Sequence, residues 1–133
     1  MKKLKVIEQE IIIKSTPHEI YEAFMDSKTH SKFTESKALI SREISGSFSV
    51  FEGDISGKNV ELIQDKKIIQ TWRSEGENWP KGYYSTITLI FEPVEEGTMI
   101  KFTHVDVPEG AYNSVKEGWS SYYWDPLKKL LEK

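Results

Sequence analysis

The sequence predicts an α+β fold in which a curved antiparallel sheet of six to seven strands wraps around a long C-terminal helix. Three observations carry that prediction. Short runs of β-branched and aromatic residues alternate with turn signals through the middle of the chain. Spacing this tight implies antiparallel hairpins, because parallel strands need long crossovers. Near the end, apolar residues recur at steps of three and four, which marks one helix face. That helix is the only large apolar one available to cover the open face of such a sheet.

The elements run in order along the chain. Residues 5–13, Lys-Val-Ile-Glu-Gln-Glu-Ile-Ile-Ile, read as a strand. Thr16 then serves as an N-cap, Pro17 suits the first helical position, and Glu19 completes a capping box. Ile20, Ala23 and Phe24 form the apolar stripe of this helix, which ends near Asp26-Ser27. A shorter helix fits 28–33, and the two together close one end of the groove. Strands are expected at 37–41, 46–52, 58–64, 67–73, 83–92 and 98–107. Asp54-Ile55-Ser56-Gly57, Asp65-Lys66 and Glu95-Glu96-Gly97 read as hairpin turns. Residues 112–132 return to helix, with Val115, Trp119, Tyr122, Pro126 and Leu130 on the apolar face. Pro126 removes one backbone donor and should kink this helix near Tyr122.

Composition bounds the function. A chain of 133 residues is read as one domain, 1–133. There is no cysteine, so disulfides and thiolate chemistry are both excluded. No apolar run approaches the ~20 residues of a membrane span. The opening Met1-Lys2-Lys3-Leu4-Lys5 is not followed by a signal-peptide core, so a cytoplasmic location is expected and membrane insertion is not. The 18 basic and 21 acidic residues give a net charge of −3, and the bases are scattered, with Arg42 and Arg73 the only arginines. A nucleic-acid partner is not expected from that pattern.

Three stretches carry a family resemblance. Ser15-Thr16-Pro17-His18-Glu19-Ile20-Tyr21-Glu22-Ala23-Phe24 resembles the first helix of the START-like superfamily. Lys67-Ile68-Ile69-Gln70-Thr71-Trp72-Arg73, continued by Trp79-Pro80-Lys81-Gly82-Tyr83-Tyr84-Ser85-Thr86-Ile87-Thr88-Leu89, is the second. Gly118-Trp119-Ser120-Ser121-Tyr122-Tyr123-Trp124-Asp125-Pro126-Leu127-Lys128 is the third. The last two together resemble the C-terminal domain of activators of the heat-shock protein 90 ATPase, with the likeness running from about Ile11 to Lys133. The resemblance implies the helix-grip fold. It also implies contact with the chaperone's N-terminal ATPase domain. The activators carry a separate N-terminal docking domain that these residues leave no room for, so the expectation is an activator's second half alone.

No catalytic motif stands out. His18, His30 and His104 are not at metal-ligand spacing from one another, so no metal is expected. The dinucleotide fingerprint, the phosphate loop and the Gly-x-Ser-x-Gly elbow are missing, so no cofactor is expected. A cyclase-like or hydrolytic enzyme would need an acid/base pair, for which His104 alone is a candidate.

Strand alternation puts Ile100, Phe102 and His104 on one face, and Ile68, Gln70 and Trp72 on one face. If these faces line the groove, they form, with Phe24, Phe48, Ile87, Leu89, Trp119 and Tyr122, a candidate site for a small apolar ligand. The alternative is a filled core in which His104 and Gln70 are hydrogen-bonded. Arg73, Trp79, Tyr123 and Trp124 are the candidates for a partner surface. Trp79 either stands out from its loop as an anchor or folds back to cap the sheet. Tyr123 and Trp124 lie about 100° and 200° from Tyr122 on a regular helix, so one of them should reach the rim.

Overall fold

The computed structural model describes residues 4–76 and 78–132. The charged ends Met1-Lys2-Lys3 and Lys133 lie outside the described residues. The strands are β1 (Leu4–Ile13), β2 (Leu39–Ile40), β3 (Ser47–Val50), β4 (Ile55–Ile63), β5 (Lys67–Ser74), β6 (Ser85–Val94) and β7 (Gly97–Pro108). They form one sheet in the order β1-β7-β6-β5-β4-β3-β2, with every neighbouring pair antiparallel. Alternation along β5, β6 and β7 buries Ile68, Gln70, Trp72, Ile87, Leu89, Phe91, Ile100, Phe102 and His104 on one face.

The first helix, α1 (Pro17–Met25), starts where the capping residues dictate. Thr16 Oγ1 accepts the Glu19 N–H at 3.1 Å, and Pro17 follows the cap. The Glu19 carboxylate accepts the Ser15 hydroxyl at 2.9 Å, and its pKa is lowered first by that bond and then by the Thr16 backbone. Helix α2 (Ser27–Thr34) is capped by Asp26, which accepts from both Thr29 N and Thr29 Oγ1. Phe24 and Tyr21 carry α1 onto Phe91 of β6, with ring centroids 6.3 and 6.2 Å away.

The C-terminal helix comprises α3 (Tyr112–Trp119), a π-helical turn at Ser120–Trp124, and α4 (Asp125–Leu131). Trp119, Ser120, Trp124 and Asp125 all keep right-handed helical dihedrals, so the three pieces run on without a break. Pro126 does interrupt the regular ladder near Tyr122, and the interruption takes the form of a wider turn. Asp125 N–H reaches back five residues to Ser120 C=O. A proline ring clashes with the carbonyl four residues earlier, and the wider turn moves that carbonyl away. The indole of Trp124 then donates to Gln9 Oε1 at 2.8 Å, tying the helix to β1.

One expected turn is misplaced. Asp54-Ile55-Ser56-Gly57 is not a hairpin, because β4 already runs from Ile55. The chain reverses instead through a 3₁₀ turn at Phe51–Gly53. Gly57 is needed for clearance within the sheet: a Cβ there would lie 1.9 Å from the Thr71 carbonyl oxygen. The turns at Asp65-Lys66 and Glu95-Glu96 form as expected, joining β4 to β5 and β6 to β7. The strand read over 37–41 shortens to Leu39–Ile40, since the following loop is stapled by Asn59, whose amide donates to the carbonyls of Ser41 and Glu43.

Candidate functional site: a cleft at the mouth of a filled groove

The groove between sheet and helix is filled by its own side chains. Phe24, Phe48, Gln70, Trp72, Ile87 and Trp119 surround a void of only about 20 Å³. That is room for one water molecule, not a ligand. Leu89 and Phe102 are fully buried in the same core, and Phe102 packs 4.5 Å from the Trp119 ring.

His104, Ser85, Gln70 and Asn59 are hydrogen-bonded within this core. His104 has no exposed surface. The Trp119 indole donates to its Nδ1 at 3.1 Å. An indole can only donate, so Nδ1 is the acceptor and the ring proton sits on Nε2. Nε2 then donates to Ser85 Oγ at 2.7 Å, and Ser85 donates onward to Trp72 C=O at 2.9 Å. Burial lowers the His104 pKa to about 3. With both nitrogens engaged and no proton gained near neutral pH, this ring has neither a free lone pair nor a partner for acid/base chemistry. Gln70 donates to Asn59 Oδ1 at 2.9 Å. His30, missed as a core residue in the sequence, meets the Tyr123 hydroxyl at 3.1 Å. Its Nδ1 faces the Ala23 and Phe24 backbone without closing a hydrogen bond of ordinary geometry. Burial lowers the His30 pKa to about 4 and raises that of Tyr123.

The aromatic residues of the third family stretch exchange places relative to expectation. Tyr122 is 62% exposed, whereas Tyr123 and Trp124 are 5% and 3% exposed. Each extra residue in a turn rotates the rest of the helix by about 100°. The π turn therefore carries Tyr123, Trp124 and Leu127 into the core and leaves Tyr122 at the rim. Tyr123 stacks on Phe24, with centroids 5.9 Å apart and planes 5° from parallel. Trp79 is also buried rather than an exposed anchor. Its indole donates to Tyr83 C=O at 2.9 Å and its ring meets Trp72 edge-on at 5.3 Å, so the loop folds back and caps the sheet. Arg73 lies on the outer sheet face with 12% of its side chain exposed, paired with Glu75 and 5.9 Å from the Tyr84 ring centroid.

Beside the filled groove lies a cleft of about 460 Å³, open on one side. Trp72 and Ser74 from β5, Val115, Gly118 and Trp119 from α3, and Tyr122 with Tyr123 from the π turn form two of its walls. Phe51, Asp54 and Ile55 form the third. These last three, with Ser74, Ser114, Val115 and Gly118, were not among the site candidates read from the sequence. The signal available was Gly53, whose φ of +93° follows Phe51 and Glu52 at +52° and +56°. The left-handed conformation is disfavoured by roughly 1–2 kcal/mol per non-glycine residue. Here it turns Phe51 over the cleft, 5.9 Å from Tyr122 and 5.8 Å from Tyr123 in edge-on contacts.

Among the described residues no group of three or more His, Asp or Glu is placed to hold a metal ion. No described helix is long and apolar enough to cross a membrane.

The fold agrees with a family match. The family model for "Activator of Hsp90 ATPase homolog 1-like protein" matches residues 14–132. The chain belongs to that family. It is 34% identical over 118 residues to the Mus musculus activator of 90 kDa heat shock protein ATPase homolog 2, covering 89% of this chain and 35% of that one. It is 28% identical over 117 residues to the Homo sapiens homolog 1, covering 88% and 34%. The chain thus spans about a third of the length of these curated relatives. Among solved structures, an HSP90 activator from Plasmodium falciparum superimposes with a TM-score of 0.83 at 26% identity, covering 96% of this chain and 94% of that one. These matches and the seven-stranded sheet make this an activator-like, START-like domain of the helix-grip type.

Proposed function

We propose that this activator-like domain is a non-catalytic binding module that contacts heat-shock protein 90. The supporting observation is the family match over residues 14–132, combined with a groove whose acid/base candidate, His104, has both ring nitrogens engaged. On this reading the domain acts through its surface: Arg73 remains of the partner candidates read from the sequence, and Tyr122, read there as a groove residue, joins it because it is exposed. Trp79, Tyr123 and Trp124 then serve to hold that surface in place. The reading takes residues 1–133 as one domain and the cytoplasm as its location; a single cooperative unfolding transition and imaging of a tagged chain check those two points.

The direct test is a pull-down and an ATPase assay with the cognate chaperone. Saturable binding, with a changed ATPase rate, is the expected result. No binding up to concentrations on the order of tens of micromolar, the range of weak specific contacts, sinks the proposal.

A second reading is favoured by one specific observation, the cleft of about 460 Å³. Its volume falls within the ~300–1,000 Å³ of small-molecule sites, and its walls are mostly aromatic and aliphatic. In this reading the domain carries or senses a small molecule with an apolar body, bound beside the groove between sheet and helix rather than within it. Of the groove-lining candidates, Trp72, Trp119 and Tyr122 border this cleft, whereas Phe24, Phe48, Gln70, Ile87, Leu89, Phe102 and His104 belong to the packing behind it. Titration with a neutral aryl alcohol, followed by tryptophan fluorescence, tests it; an unchanged spectrum at millimolar probe counts against it.

A further inference from the structure

We infer that the cleft selects a small organic cation, an amine whose ammonium group sits between Asp54 and the aromatic rim while its apolar body lies along Ile55 and Val115. The inference rests on the reading that the cleft binds a small molecule, and adds the charge of that molecule.

The first ground is charge. Asp54 is the one acidic or basic residue among those lining the cleft. Among the described residues no Lys or Arg lies within 4.0 Å of its carboxylate. Arg73, the basic residue nearest in the flanking strand, is directed elsewhere. Strand alternation sends Trp72 and Ser74 to the cleft and Arg73 to the outer face. There Glu75 and the Tyr84 ring hold it. An exposed carboxylate is left at the edge of a mostly apolar cleft without a basic side chain in salt-bridge reach among the described residues.

The second ground is the arrangement of the rings. Phe51 crosses Tyr122 at 69° and Tyr123 at 84°. Tyr123 is buried against Phe24 and Trp119, so Tyr122 and the half-buried Phe51 supply the ring surface at the mouth of the cleft. Aromatic faces carry negative potential and attract an ammonium within about 6 Å of the ring centroid. A neutral apolar ligand needs the area of these rings but not their angles, and gains nothing from Asp54. The left-handed residues at 51–53 support the same conclusion, because they hold Phe51 over the cleft against local preference. Strain of this kind gathers at ligand clamps and switch regions.

The test uses the full chain and two probes of one shape, 4-phenylbutylamine and 4-phenylbutan-1-ol. They share an apolar body and differ in charge at neutral pH. The amine is expected to bind about tenfold more tightly than the alcohol at low salt, and to lose that advantage as salt rises. Asp54→Asn is expected to bring the amine down to the alcohol's affinity and leave the alcohol unchanged. Tyr122→Ala, at an exposed position, is expected to weaken the amine more than the alcohol. Amide shifts on binding should centre on Val115 and Gly118. Equal affinity for the two probes, unmoved by Asp54→Asn, overturns the cation inference and leaves the small-molecule reading standing. Failure of both probes to bind overturns that reading and this inference with it. Amine binding whose shifts map away from Val115 and Gly118 also overturns the inference.

Discussion

The indole of Trp119 holds His104 in a single tautomer, and with it the hydrogen-bond chain that crosses β7, β6 and β5 through Ser85 to Trp72 C=O. A helix residue thereby fixes polar groups on three neighbouring strands. Replacing the indole by an apolar ring leaves Nδ1 of His104 buried without a donor.

Trp119→Phe should therefore cost more than its lost area. The unsatisfied acceptor alone costs about 1–3 kcal/mol of unfolding free energy. Urea denaturation gives the number. A loss below about 0.5 kcal/mol, the usual range of an inconsequential substitution, contradicts the role assigned to this bond.

Acid should destabilise the fold through its two buried imidazoles. In the unfolded chain both titrate near 6.5, whereas in the fold His104 is lowered to about 3 and His30 to about 4. Between these limits the unfolded state binds more protons, so stability is full above about pH 6.5 and falls as the pH drops toward 4. Each histidine contributes a slope of about 1.4 kcal/mol per pH unit in that window. Unfolding free energies at intervals from pH 7 to 4.5 should show it. His30→Gln and His104→Gln should each reduce the slope by about one proton; slopes equal to that of the parent protein argue against the assignment.

The π turn makes neighbouring tyrosines unequal. Tyr123→Ala removes a buried ring stacked on Phe24 and leaves His30 Nε2 without its hydroxyl partner, at a cost of about 3–5 kcal/mol. Tyr122→Ala, at the exposed rim, should stay within about 1 kcal/mol. Thermal unfolding of the pair distinguishes this register from a regular helix, on which Tyr122 and Tyr123, three and four residues beyond Trp119, would both flank the buried face.

Gly57→Ala should be more damaging than a strand glycine suggests. The new methyl meets the Thr71 carbonyl oxygen and the Phe48 ring, so β4 and β5 must separate. Overpacking of this kind costs about 1–3 kcal/mol. Full stability of this variant would mean that the two strands have room to spare at Thr71, against the close approach that Gly57 permits.

Much of the fold is legible in the residues, because local chemistry and global pattern agree. Thr16-Pro17 with Glu19 states where α1 begins, and alternation along Ile68-Gln70-Trp72 and Ile100-Phe102-His104 states which faces are buried. Two features escape for physical reasons. A glycine reads as a turn signal, but Gly57 serves close approach between strands, so the reversal belongs to Phe51–Gly53 instead. The spacing of Val115, Trp119 and Tyr122 assumes 3.6 residues per turn, and a single wide turn breaks that assumption. The cleft escapes with them, since Phe51, Asp54 and Tyr122 come together only through those two irregularities. Whether His104 and Gln70 serve a ligand or a core depends on how completely the groove fills, which alternation does not determine.

The pairing of β1 with β7 also sets the order in which the domain can assemble. Ile13 pairs with Thr98 and Leu4 with Pro108, so β1 finds its neighbour in the sheet after five other strands have been synthesised. At about 5–20 residues per second, it waits several seconds on the ribosome with Ile7, Ile11 and Ile13 uncovered. The helix that seals the core follows later still. Closure of this sheet is therefore a late and cooperative event in the life of the nascent chain, and its β1 segment is the part most in need of shielding until then.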